Sequence, residues 1–121
     1  MPIVDVEIVR LAGASGPMPA TSALADALGR VFGSAPGHTW VRVRALDASC
    51  YAENGTVVST GELPVFVTVQ HAAPPTGAEL QAEVAAITQT VAACVAREPE
   101  LVHVSYAAAG AGRQAFGGRL V

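Results

Sequence analysis

The chain contains no lysine: its seven basic residues are all arginine, against ten acidic ones, for a net charge of −3 over 121 residues. The arginines form no cluster, which argues against a nucleic-acid partner. No apolar run approaches the ~20 residues that a membrane span requires, so no membrane partner is expected. The chain does not open on a basic segment followed by an apolar one, so no signal peptide is expected and a cytoplasmic location is. Cysteine is scarce. Cys50 and Cys94 lie far apart, and two free thiols are the expectation, with Cys94 on an apolar helix face. Together with His38, His71 and His103 they show no metal-ligand spacing, so neither a metal nor a cofactor is expected. His38 and His71 read as neutral, hydrogen-bonded histidines. Ala109–Gly112 is glycine-rich but lacks the lysine and the following helix of a phosphate loop.

Apolar residues are abundant, at 51%, while charged ones make up 14%. A single domain of this length buries roughly two-thirds of its unfolded surface and needs no disulfide or metal. The apolar surplus points to a covered subunit interface.

Along the chain one unit occurs twice. Pro2–Val9 alternates apolar and acidic residues, as a half-buried strand does. A Gly/Pro/Ser stretch follows from Gly13 to Pro19. Thr21 or Ser22 is placed to cap a helix whose stripe is Leu24, Ala27, Leu28, Val31 and Phe32. Gly33–Gly37 ends it. Thr39–Leu46 is the next strand, with Arg42 and Arg44 on one face, and Tyr51–Gly55 is a polar turn. The second half repeats this order. Pro64–Val69 is a strand, and Thr76-Gly-Ala-Glu79 reads as a capping box. A helix then carries Leu80, Val84, Ile87, Val91 and Val95, and Pro99 marks its end. Leu101–Tyr106 is the last long strand, and Gly112–Gly118 a glycine-rich turn. The offset is 61–62 residues: Pro2 falls on Pro64, Arg42 on His103, and Gly55 on Phe116 or Gly117.

The chain thus reads as one domain with an internal repeat, about 1–61 and 62–121. Right-handed crossovers make the strands of each unit parallel. The expected fold is α+β: tandem β-α-β units forming a four-stranded mixed sheet with two helices on one face. Depending on register, the opposite face carries valines such as Val4, Val41, Val43, Val65, Val67 and Val102; if it is apolar, a second copy of the chain is expected to cover it.

The chemistry centres on Pro2. Removal of Met1, usual before a small second residue, leaves a secondary amine at the chain start. A free α-amino group has a pKa near about 7.7–8.0, and an apolar pocket or a nearby arginine lowers it. Such an amine serves as a general base near neutral pH, a role worth ~10²–10⁴ in rate.

A doubled β-α-β unit opening Pro2-Ile3-Val4 resembles the tautomerase superfamily, which includes 4-oxalocrotonate tautomerase and macrophage migration inhibitory factor. The resemblance spans the whole chain. Its most specific parts are Pro2, Trp40-Val41-Arg42-Val43, the near-repeat from Pro64, and Phe116-Gly117-Gly118. It implies a homotrimer with sites around Pro2 at subunit boundaries, and keto–enol proton transfer on a small keto acid. For the carboxylate it implies Arg42, which matches the arginine of the short tautomerases, or its second-half counterpart His103, which aligns with an active-site tyrosine; Ser105, a further substrate-binding position, aligns with an active-site asparagine. Arg113 is a third carboxylate holder, on the turn that closes the pocket. Phe116 is implied as a wall and Tyr51 as a hydrogen-bond donor. Pro64 lacks a free amine and cannot be a base. No Asp or Glu follows Glu100, which departs from the dehalogenase and hydratase branches; Glu53 is the one substitute. The malonate semialdehyde decarboxylase pattern fails at Pro36–Thr39 and Gln70–Ala73.

Overall fold

The computed structural model describes residues 1–13 and 18–121. Part of the expected Gly13–Pro19 loop, at 14–17, lies outside the described residues. The elements are β1 (Ile3–Arg10), α1 (Thr21–Phe32), β2 (Trp40–Asp47), β3 (Val65–Gln70), α2 (Gly77–Val95), β4 (Val102–Tyr106), β5 (Ala115–Phe116) and β6 (Arg119–Leu120). No described helix is long and apolar enough to cross a membrane.

Each half places its helix between two parallel strands. β1 pairs with β2 and β3 with β4 in parallel, while β1 and β3 join the halves antiparallel, giving the order β2-β1-β3-β4. Strand alternation builds the core. Val4, Val6 and Ile8 of β1 and Val65, Val67 and Val69 of β3 are buried against Leu24 and Leu28 of α1 and Ile87 and Val91 of α2. Both helical stripes work as the apolar spacing requires.

The opposite sheet face differs from expectation. Val4, Val65, Val67 and Val102 lie in the core, and Val41 and Val43 pack against it. The register therefore turns the residues between them outward. Arg42, Asp5, Thr68 and Ser105 form one cross-sheet row, and Arg44, Glu7, Phe66 and His103 the next. A one-residue choice of register decides which face receives the valines. Composition alone could not make that choice.

Three local expectations also change. Ala20, not Thr21 or Ser22, occupies the N-cap of α1, and no side chain caps it. Thr76 is the N-cap of α2 but makes no side-chain cap bond. Gly77 enters that helix at φ 59°, a left-handed turn that rotates Thr76 out of capping geometry. Finally, the turns that close the two halves are unalike, although the repeat pairs them. β5 and β6 form a hairpin, whereas residues 51–64 of the first half contain no strand.

Candidate active site

Pro2 precedes the central strand β1 and is buried. Its carbonyl accepts the Trp40 backbone N–H at 3.0 Å, which fixes the start of β1 against the start of β2. Trp40 pairs with Ile3 across the ladder, and its indole N–H donates to the Gly37 carbonyl at 2.9 Å. The C-terminal hairpin folds over this same sheet end. Phe116 meets Trp40 edge-on, with ring centroids 5.1 Å apart. Aromatic pairs favour this geometry, and it seats the hairpin on the Pro2 end of the sheet. Arg113 lies in the turn that begins the hairpin and is exposed. Pro2, Trp40, Phe116 and the hairpin bearing Arg113 therefore gather at one end of the sheet.

The other sequence candidates lie farther along. Arg42 is exposed and forms a two-pronged ion pair with Asp5, at 2.6 and 2.8 Å. The hydrogen bond to Asp5 raises its pKa, and the charge of Asp5 adds to that. Arg44 pairs with Glu7 at 3.1 Å. Ser105 stands in the Arg42 row and His103 in the Arg44 row. With a rise of roughly 3.3 Å per residue, these rows lie about 10 and 16 Å from the Pro2 position. Tyr51 donates its hydroxyl to Glu53 at 2.6 Å, and that bond, more than burial, raises its pKa. Its ring packs on Phe66, which packs on His103. So Tyr51 and His103 share an aromatic row remote from Pro2 within one chain.

Sequence reasoning missed three neighbours of the Pro2 end. Gln70 is paired opposite Ile3 and donates to the Ala108 carbonyl at 2.8 Å. Gln114 is folded inward over Gly110, and its side-chain amide has no hydrogen-bond partner among the described residues. A Cβ on Gly110 would lie 2.6 Å from the Gln114 Oε1 atom, so a larger residue there would have to displace the Gln114 side chain. His71 is half-buried, contacts Phe32 with ring centroids 6.0 Å apart, and accepts the Ala73 N–H on Nδ1 at 3.1 Å. The missing signal was the antiparallel pairing of β1 with β3, which brings residues 70–71 to the chain start.

No family model matches the chain, and no curated protein does. Solved structures do match. Pt0534 inactivated by 2-oxo-3-pentynoate is similar with a TM-score of 0.75 at 15% identity, over 98% of this chain and 94% of its own. A fused 4-OT solved as an asymmetric trimer gives 0.75 at 17% identity, over 98% and 94%. The macrophage migration inhibitory factor of Trichinella spiralis gives 0.74 at 10% identity, over 98% and 99%. The fold of this chain, over almost its entire length, is thus the one shared by structures of the tautomerase superfamily.

Proposed function

We propose that the chain is a tautomerase that moves a proton between oxygen and carbon of a small keto acid, with Pro2 as the base. The observation that carries this reading is the placement of Pro2. It is buried at the head of a central strand, one residue from the chain start, on a fold shared with tautomerases. Loss of Met1 turns its nitrogen from an amide into a secondary amine with a usable lone pair. In ketonisation the amine takes the enol O–H proton and leaves an enolate. As the oxygen's electrons form the carbonyl, the C=C pair moves to the neighbouring carbon and takes the proton back from the protonated amine. One proton moves from oxygen to carbon, and the amine is regenerated.

Arg113 is the arginine this geometry favours for the substrate carboxylate, because Arg42 is engaged by Asp5. A guanidinium suits a carboxylate through its planar fork. Phe116 is the wall. We assign the working assembly as a homotrimer, in which His103, Ser105 and Tyr51 reach the Pro2 site of a neighbouring copy. Two observations support it: the related fused 4-OT is described as a trimer, and Trp40 and Leu120 are exposed apolar side chains at the Pro2 end and on the hairpin.

The test combines mass and rate. Intact mass reports whether Met1 is removed. Ketonisation of phenylenolpyruvate is then followed for the natural chain and for Pro2→Ala. Equal rates sink the base assignment. Treatment with 2-oxo-3-pentynoate, which inactivates Pt0534, is expected to add one adduct at Pro2. A second reading, a non-enzymatic ligand-binding protein of the same fold, is favoured if Met1 is retained, since it keeps the proline nitrogen an amide.

A further inference from the structure

We infer that His71 is a substrate-binding residue of the Pro2 site, its Nε2–H holding the oxygen that becomes negative as the proton moves. The inference rests on the tautomerase reading and adds a residue to it. The last pair of the antiparallel ladder is Ile3 with Gln70. Pro2 and His71 are the residues just beyond this last pair on the two strands, so both lie at the same end of the sheet. Both residues belong to the helix face. Val4 and Val69, two residues inward on each strand, are fully buried there, and Phe32 of α1 touches the imidazole.

The ring is held on several sides. Phe32 packs against it, and the Ala73 N–H donates to Nδ1 at 3.1 Å. The backbone is fixed as well, because the His71 carbonyl accepts the Gly110 N–H at 2.9 Å. A ring nitrogen that accepts a hydrogen bond carries no proton, so the neutral imidazole has its proton on Nε2. That N–H has no partner among the described residues. The nearby side-chain donors are engaged: the Trp40 indole on Gly37, Gln70 on Ala108, and the Thr39 hydroxyl on Ser34 at 2.6 Å. His71 is thus an oriented donor at the Pro2 end of the sheet.

A fixed donor aimed at developing charge stabilises the transition state more than the ground state. In ketonisation the substrate oxygen is an enolate between giving up its proton to Pro2 and becoming a carbonyl. Nε2–H donates to it throughout and gives up no proton, so the proton balance at Pro2 is unchanged. A carboxylate is the task of Arg113, and the neutral imidazole is matched to the ketone or enol oxygen.

His71→Phe keeps a ring against Phe32 and removes the donor. The expected result is a fall of about 10²–10³ in kcat for phenylenolpyruvate, the range for one lost donor of this kind, with KM changed far less. His71→Gln restores an N–H near the same place and is expected to recover at least tenfold of that loss. A His71→Phe chain that folds with a normal melting temperature and keeps at least half of the wild-type kcat overturns the inference. If His71→Phe does not fold, equal loss in His71→Gln and no response in the next measurement overturns it. That measurement adds phenylpyruvate to ¹⁵N-histidine-labelled wild-type protein, where a saturable shift of the His71 Nε2 resonance is expected. A wild type that shows this shift but no ketonisation keeps His71 as a ligand-binding residue and rejects the proton-transfer reading. No shift and no turnover rejects both.

Discussion

Pro2 and Pro64 occupy the same place in the two halves of the chain, but their surroundings have opposite character. At Pro64 the structure is riveted. Its carbonyl accepts the Val9 N–H at 3.1 Å. Arg97, just past α2, donates to the carbonyls of Leu63 at 2.6 Å and Val9 at 2.9 Å. Burial lowers the pKa of that guanidinium, with Arg10 adding to the effect. At Pro2 the carbonyl is satisfied by the Trp40 N–H, and at this sheet end the His71 imidazole, its Nδ1 taken by the Ala73 N–H, keeps an Nε2–H with no partner among the described residues. One proline thus serves as a staple across the seam of the repeat. The other, on the proposed reading, becomes a secondary amine once Met1 is lost.

The sharpest way to break this comparison is to replace each proline. Pro2→Ala is expected to lower kcat by ~10²–10⁴, the worth of a positioned general base. Pro64→Ala is expected to leave kcat within about threefold when assayed well below its melting temperature, because its amide nitrogen carries no basic lone pair. A comparable loss from Pro64→Ala would show that the two ends are not functionally distinct.

Next in size is the rivet. Arg97→Met leaves the Leu63 and Val9 carbonyls without their donors. Each buried acceptor left unmatched costs ~1–3 kcal/mol, so a loss of about 2–4 kcal/mol is expected in urea unfolding. Turnover of the folded fraction is expected to persist. If it disappears with no loss of stability, the Pro64 end carries function after all.

Much of this architecture was legible in the sequence because it rests on periodicity. The stripes Leu24–Leu28 and Ile87–Val91 and the alternation Val65-Val67-Val69 fix helices, strands and the parallel pairs. Gly33 was legible as a helix stop, and it ends α1 with φ 63°. What stayed hidden depends on pairing between distant segments. The parallel β1–β2 register decides that Asp5 meets Arg42, and the antiparallel β1–β3 seam decides that Gln70 meets Ile3 and so carries His71 to the Pro2 end. Neither follows from spacing within one segment. The caps failed for a local reason: Thr76 has the right side chain, but its backbone leads into a left-handed Gly77. Pro99 was read as the stop of α2, yet the helix ends at Val95, on Ala96 with φ 55°. Arg97 then turns back to the rivet.

A smaller effect separates the ends through α2. The Tyr106 hydroxyl, at the Pro2 end of β4, donates to Glu83 of α2. Burial raises the tyrosine pKa, and the bond to Glu83 raises it further. The unfolded chain ionises this phenol near pH ~10. Its contribution is therefore complete below that pH and is lost as pH rises above it, since the unfolded state sheds the proton first. Tyr106→Phe is expected to cost about 1–2 kcal/mol at pH 7. The gap between wild type and variant should narrow from pH 9 to 12. A gap constant over that range would mean that the bond does not hold α2 to this end.

The smallest expected effect concerns the two arginines that the proposed function sets against each other as carboxylate holders. Arg113→Ala is expected to raise KM for phenylenolpyruvate about tenfold, the low end for a lost charge-assisted bond. Arg42→Ala should change it less than about twofold, because Asp5 already takes both prongs of that guanidinium, three ladder positions from Pro2. The stability change from Arg42→Ala should sit at the edge of detection, as exposed pairs usually do. The reverse result is equally informative. If Arg42→Ala raises KM and Arg113→Ala does not, the carboxylate is bound by the polar face of a neighbouring copy. Asp5 would then be a resting partner that the substrate displaces, and Asp5→Asn would lower KM by freeing the fork. That outcome would move the specificity of the Pro2 end from its own hairpin to the subunit beside it.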